Sequence, residues 1–158
     1  SEEQFERWLV EKNEDYLAYI AEMDESEILP DVPKVLDYLQ KLDIPMALGS
    51  ASKNAVPILE KVKLLPYFKA VVDGTRVSKA KPDPEVFLIA AEEIGISPTS
   101  CVVFEDAVAG IEAANVAGMT SVGIGSAEVL EAADHNFGDF TTISTEFLDN
   151  LIGQRNNN

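Results

Sequence analysis

Two adjacent carboxylates, Glu105 and Asp106, directly follow the apolar run Cys101–Phe104. Such a run is typical of a buried parallel strand whose carboxyl end leads into a helix. Neighbouring carboxylates in a crevice repel each other and are costly to desolvate unless a cation binds them, and oxygen ligands of this kind suit Mg²⁺. The acids can also simply begin the next helix, where Asp and Glu are favoured. This stretch alone leaves both interpretations open.

Two further turns carry groups that could bind a phosphate. The segment Ser50–Asn54 follows a predicted strand ending at Gly49 and contains two hydroxyls, an amide and Lys53. Its backbone N–H groups and its lysine form a plausible phosphate cradle, although Ser and Asn are also ordinary helix caps. A basic segment containing Lys81 precedes a further predicted helix, which begins near Pro84.

The elements that must position these turns alternate between strands and helices. The pattern predicts strands over Ile44–Gly49, Lys69–Val72, Cys101–Phe104 and Ser121–Ile124, and helices over Ser1–Met23, Asp31–Leu42, Asn54–Lys63, Pro84–Gly95, Val108–Gly118 and Ala127–Ala132, with a last helix capped by Thr145. This alternation is typical of right-handed βαβ units and predicts an α/β fold with a doubly wound parallel sheet. Because the carboxyl ends of parallel strands share one edge, we expect the three turns to converge there.

The first predicted helix need not belong to the sheet domain. Residues between Glu25 and Pro30 interrupt the helical pattern and suggest a hinge or linker. Lys12 lies on or near the apolar stripe of this helix, where a lysine usually covers hydrophobic surface with its aliphatic stem.

Composition excludes several classes of partner. The chain has 158 residues and a formal charge of −16, which argues against nucleic acid or an anionic membrane as a partner. No apolar run approaches the roughly 20 residues of a membrane span. The single cysteine, Cys101, favours a reducing compartment, so we expect a cytoplasmic protein. His135 lies in a polar stretch and is predicted to be a surface residue.

Hydroxyl, lysine and paired acids in this order resemble motifs II, III and IV of the haloacid dehalogenase-like phosphotransferases. The sequences of these motifs most resemble the β-phosphoglucomutase-like subfamily. The segments that carry this resemblance are Glu11–Tyr16, Ser50–Asn54, Lys81–Phe87, Glu105–Ile111 and Gly118–Gly125. The resemblance implies a Rossmann-like core over residues 27–158. It also implies that residues 1–26 are the C-terminal helix of a helical cap domain.

The resemblance assigns reaction-centre roles to four residues. Ser50 would hydrogen-bond the transferring phosphoryl group, and Lys81 would neutralise its charge. Asp106 would bind Mg²⁺, with Glu105 as a second ligand or a closely neighbouring acid.

The same resemblance assigns substrate-binding roles. Ser52, Lys53 and Asn54 would bind a second, non-transferring phosphate. Lys12, in the cap domain, would bind the sugar phosphate. Ala107 departs from the serine that commonly follows the acid pair.

Motif I of this family, an apolar strand ending in Asp-x-Asp, is missing from the 158 residues. Val71–Thr75 imitates it, but Val71 stands where the nucleophile should be, so we interpret Asp73, Gly74 and Thr75 as a turn. Without the motif I strand, the strands ending at Gly49 and Phe104 should face a gap. We therefore expect the chain to be part of a longer protein, whose further 60–80 or so residues hold motif I and most of the cap.

The resemblance implies a Mg²⁺-dependent phosphomutase that interconverts β-glucose 1-phosphate and glucose 6-phosphate through an aspartyl-phosphate. One alternative is a phosphatase of the same superfamily acting on small phosphate esters. The other is an inactive binding or complementation module that has lost the nucleophile.

Overall fold

The computed structural model describes Gln4, Arg7 and residues 16–155. The strands are β1 (Ala47–Gly49), β2 (Ala70–Val72), β3 (Val102–Glu105), β4 (Thr120–Ile124) and β5 (His135–Phe137). The helices that follow the N-terminal helical residues 16–22 are α1 (Val32–Lys41), α2 (Ala55–Lys61), α3 (Glu85–Ile94), α4 (Val108–Val116) and α5 (Thr145–Arg155). No helix within these residues is long and apolar enough to cross a membrane.

The strands form two parallel sheets. β1 pairs with β2, placing Leu48 opposite Val71. In the second sheet β4 lies between β3 and β5, with Phe104 opposite Val122. The predicted parallel α/β architecture is therefore confirmed.

Helices cover both faces of the sheets. On one face, α3 and α4 pack on a core cluster of Val72, Val86, Phe87, Ala90, Ala91, Val103, Ala113, Ala114 and Met119. On the other face, α1 and α5 pack on Val35, Val122, Ile124, Ile143, Leu148 and Leu151. Neighbouring residues of β3 alternate between the two clusters, as the pleat of a strand requires. This two-sided covering is the doubly wound arrangement.

A gap separates the two sheets. Because α3 contacts β1, β2 and α4, one helical layer spans both sheets and holds β1 beside β3. Within the described residues, β1 is hydrogen-bonded only to β2, and β3 only to β4. All three residues of β1 are half-buried, whereas β4 is fully buried over Ser121–Ile124. The unpaired edges expected at Gly49 and Phe104 are present in this part of the chain.

The region after β4 differs from the prediction. Residues 127–132 form turns rather than a helix, because Leu130 is buried against the sheet and Asp134 accepts hydrogen bonds from Ser121, which draws the chain inward. The strand β5 follows and was not predicted, since its sequence is short and polar. His135 lies on β5 and is exposed, as expected.

Several boundaries and caps also differ. The strand predicted from Ile44 begins only at Ala47, after Pro45, which lacks the N–H that a ladder needs. Asp31 precedes α1 in a left-handed conformation (φ 63°) and makes no capping hydrogen bond. At α5 the cap is Ser144, whose hydroxyl accepts from the Phe147 N–H.

Part of the predicted N-terminal helix lies outside the described residues. Residues 16–22 are helical, and Ile20 is buried as its position on the apolar stripe predicts. Tyr16, which lies four positions earlier and so on the same side of the helix as Ile20, is exposed. The predicted break follows as a short 3-10 turn at Glu25–Glu27, which an ion pair between Glu25 and Lys63 ties to the sheet domain at 3.0 Å.

Candidate active site

Lys81 joins the ends of the two sheets. Its ammonium nitrogen lies 2.7 Å from Glu105 Oε2 at the end of β3 and 3.5 Å from the carbonyl oxygen of Gly49 at the end of β1. The Lys81 and Glu105 side chains are only 17% and 11% exposed. Ser50 directly follows Gly49, so the ends of β1 and β3 and the loop that carries Lys81 meet at one edge, as the sequence predicts.

Glu105 folds back over the first turn of α4. Its Oε1 accepts a hydrogen bond from the Ala107 N–H at 3.2 Å while its Oε2 binds Lys81. Gly110 makes this possible, because a Cβ at that position would lie 2.1 Å from Glu105 Cδ. The glycine five residues after the glutamate is therefore a steric requirement of the site.

Asp106 differs from its neighbour by pointing into solvent. Its side chain is exposed, and no hydrogen bond or ion pair is found for it within the described part of the chain. The described residues also contain no group of three or more His, Cys, Asp or Glu side chains that could hold a metal. Mg²⁺ usually takes one or two carboxylates and completes its shell with water and phosphate oxygens. Asp106 fits that pattern, while Glu105 is already engaged by Lys81.

The turn after β1 is built from nested hydroxyl hydrogen bonds. Ser50 Oγ accepts from the Ser52 N–H, and Ser52 Oγ accepts from the Asn54 N–H, both at 3.1 Å. These two N–H groups are engaged within the turn itself, and the expected phosphate cradle stays a prediction. The Ser50 hydroxyl, acting as acceptor to Ser52, still has its own proton to donate.

A second turn supports the first. Asp73 Oδ1 accepts from the Thr75 N–H at 2.9 Å, which confirms the predicted turn. The hydrogen bond from the Thr75 hydroxyl, followed by that from the Thr75 N–H, lowers the pKa of Asp73. The Gly74 N–H donates to the Ser52 carbonyl at 3.1 Å. A Cβ at Gly74 would lie 2.4 Å from the Ala51 carbonyl oxygen, so only glycine permits the two turns to approach this closely.

The helix α3 contributes two residues to the site that the sequence did not single out. Glu85 accepts hydrogen bonds from the Ser78 N–H at 3.1 Å and the Lys79 N–H at 2.7 Å, which lower its pKa. Phe87 places its ring 4.7 Å below the Lys81 ammonium. Phe87 is the last residue of the Lys81–Phe87 motif, so the sequence contained an indication of its importance. Glu85 lies within the same segment, but acids are common in the first turn of any helix, so nothing distinguished it.

The remaining predicted residues are not in contact with this centre. Lys53 is exposed and Asn54 half-buried, and no contact joins either side chain to Lys81 or Glu105 within the described residues. Lys12 lies outside those residues.

Comparisons with known proteins agree with the geometry. Residues 2–118 match the family model of the haloacid dehalogenase-like hydrolases. A β-phosphoglucomutase of Bacillus subtilis is 40% identical over 123 residues, covering 78% of this chain and 54% of that protein. A fructose-1-phosphate phosphatase of Escherichia coli is 42% identical over 104 residues, covering 65% of this chain and 54% of that protein. The chain thus spans about half the length of these curated relatives.

A solved structure extends the likeness to the whole chain. The crystal structure of β-phosphoglucomutase from Clostridium difficile superposes with a TM-score of 0.90 at 33% identity, covering 100% of this chain and 71% of that one. The fold, the turn motifs and the family model all indicate the same protein family. The chain belongs to the haloacid dehalogenase-like hydrolase family.

Proposed function

We propose that the chain forms the phosphoryl-binding part of a Mg²⁺-dependent phosphomutase that interconverts β-glucose 1-phosphate and glucose 6-phosphate. The contact of Lys81 with Glu105, beside Ser50, carries this proposal. A lysine held at such a point by a carboxylate offers fixed positive charge to an entering phosphate. The similarity to proteins named β-phosphoglucomutase supports the choice of substrate.

Each residue of this site has a separate proposed role in phosphoryl transfer. This reaction depends mainly on in-line positioning and on neutralising charge. The Ser50 hydroxyl donates to a phosphoryl oxygen, and the Lys81 ammonium offsets the charge on the transferring group. Asp106 holds Mg²⁺, which supplies further positive charge when bound, and Glu105 keeps Lys81 in place.

A phosphomutase must also bind the second phosphate of its bisphosphate intermediate. The exposed Lys53 ammonium, the Ser52 hydroxyl and the Asn54 amide, in the turn after β1, are proposed for that phosphate. Residues 1–26 are proposed to belong to a helical cap domain, from which Lys12 would bind the sugar phosphate. Residues 27–158 then form the catalytic core.

The nucleophile is proposed to lie on a strand that is not among these 158 residues. The sequence contains no Asp-x-Asp, and among the described residues β1 and β3 each leave one edge unpaired. A single parallel strand between them would bond to both edges and deliver an aspartate next to Lys81. The partners proposed are thus a small sugar phosphate and a strand-bearing segment of the same protein.

Complementation tests this arrangement. The chain is mixed with Mg²⁺, β-glucose 1-phosphate, a trace of glucose 1,6-bisphosphate and a peptide that joins five apolar residues to Asp-Leu-Asp. We expect no turnover without the peptide and glucose 6-phosphate formation with it, while an Asn-Leu-Asn peptide should give none.

Other outcomes point to other functions. The relatives include sugar phosphatases, which favours phosphatase activity as the second candidate. Release of free phosphate without isomerisation would support that candidate and contradict the mutase. A peptide that binds without any turnover would support an inactive complementation module. Turnover by the chain alone would contradict the proposal that the nucleophile lies elsewhere.

Metal binding can be tested without turnover. We expect Mn²⁺, used as a paramagnetic substitute for Mg²⁺, to broaden the amide signals of Asp106 and Ala107, because the exposed Asp106 carboxylate binds the ion. D106N should abolish this broadening. Glu112→Gln is the matched control, since it removes an equal charge from an exposed position on α4. Equal broadening in wild type and D106N would remove Asp106 from the metal site.

A further inference from the structure

We propose that Glu85 is a positioning residue that fixes Lys81 for phosphate binding, an inference that rests on the function proposed above. Glu85 is the first residue of α3, and its carboxylate accepts from three donors: the Ser78 N–H and hydroxyl, each 3.0–3.1 Å from both carboxylate oxygens, and the Lys79 N–H at 2.7 Å. These bonds fasten the segment two residues before Lys81 to the start of the helix. No other carboxylate described in this loop accepts from so many donors.

The chain after Lys81 is fastened to the same helix start. The Glu85 N–H donates to Asp83 Oδ1, and the Asp83 N–H donates to the Ala80 carbonyl, both at 3.0 Å. Lys81 therefore lies in a short loop whose two sides are both held at the first turn of α3. The bonds at Glu85 therefore constrain the backbone on both sides of Lys81.

The same helix then directs the Lys81 side chain. The Phe87 ring supports the ammonium at 4.7 Å and also packs on Gly49, where an added Cβ would lie 3.0 Å from Phe87 Cε1. The ring thus fixes the height of the ammonium above the end of β1. Together Glu85 holds the backbone and Phe87 the head group, so that Lys81 reaches Glu105.

Inorganic phosphate provides the probe. Phosphate is titrated into the 158-residue chain, and its dissociation constant is read from amide shifts at Ser50 and Lys81. We expect Glu85→Ala to weaken binding about tenfold, and Glu85→Gln, which keeps one acceptor oxygen, to have an intermediate effect. Glu92→Ala is the matched control, because Glu92 is an exposed carboxylate on the same helix for which no hydrogen bond or ion pair is found among the described residues. It should bind like the wild type.

A double-mutant cycle separates positioning from a general structural role. If Glu85 acts through Lys81, Glu85→Ala should have no further effect on phosphate affinity in a Lys81→Met background. Equal losses in both backgrounds would overturn the proposal. The side-chain ammonium signal of Lys81 in ¹H–¹⁵N spectra gives a readout that needs no phosphate.

This signal should move in Glu85→Ala and stay unchanged in Glu92→Ala. An unchanged signal in Glu85→Ala would contradict the proposal whatever the phosphate result. If the wild-type chain binds no phosphate while the Lys81 signal responds to Glu85, the proposed function fails and the positioning role stands.

Discussion

Replacing Gly110 with alanine is expected to lower the free energy of unfolding by about 1–3 kcal/mol, the usual range for overpacking. The added Cβ would overlap Glu105 Cδ and Cγ at 2.1 and 2.2 Å. Glu105 must then leave its place over the first turn of α4, which separates it from Lys81. Urea denaturation gives the stability change, and the Lys81 ammonium signal reports the broken contact.

Gly153 offers the matched control. It lies in α5, and an added Cβ there would meet no atom within 4 Å. Gly153→Ala should raise the free energy of unfolding by roughly 0.5–1 kcal/mol, because alanine loses less backbone entropy than glycine in a helix. If Gly110→Ala proved as well tolerated as Gly153→Ala, the steric role of Gly110 would be wrong.

Replacing Lys81 with methionine is expected to cost about 3 kcal/mol of folding free energy. The substitution leaves the Glu105 carboxylate without its ammonium partner, although that side chain is only 11% exposed. The double variant K81M/E105Q should be clearly more stable than K81M, because it removes the unpaired charge as well. Chemical denaturation of the three proteins at neutral pH measures both differences.

Lys79 provides the control for this experiment. It lies in the same loop and is 3.8 Å from Asp83, but its side chain is 71% exposed. Lys79→Met should change stability by no more than about 0.5 kcal/mol, as for other solvated ion pairs. Comparable losses from K81M and Lys79→Met would show that burial does not distinguish Lys81 from its exposed neighbour.

The sequence was sufficient to predict the parallel α/β fold and the convergence of the three turns. This succeeded because parallel strands present their carboxyl ends at one edge, so order along the chain determines where Ser50, Lys81 and Glu105 meet. The gap beside β1 was also predictable, since a missing strand leaves two edges that no other predicted strand can fill.

The partners of individual side chains were harder to predict. Glu105 binds Lys81 across 24 positions of sequence, and only the tertiary packing that places α3 and β3 on one core cluster brings the two together. The need for glycine at position 110 follows from that same placement of Glu105. Local patterns likewise missed β5, because its pairing with β4 comes from tertiary contacts rather than from strand-forming residues.

The gap between β1 and β3 gives the domain a mechanical property. Within the described residues, the two sheets are joined by the apolar contacts of a shared helical layer and not by a continuous hydrogen-bond ladder. Packed apolar surfaces can shear by small amounts. Lys81 is anchored to α3 on the β1 side, whereas Glu105 belongs to β3. Any sliding of one half-sheet past the other therefore changes the length of this ion pair. The position of the Lys81 charge therefore depends on the spacing of the two halves of the fold.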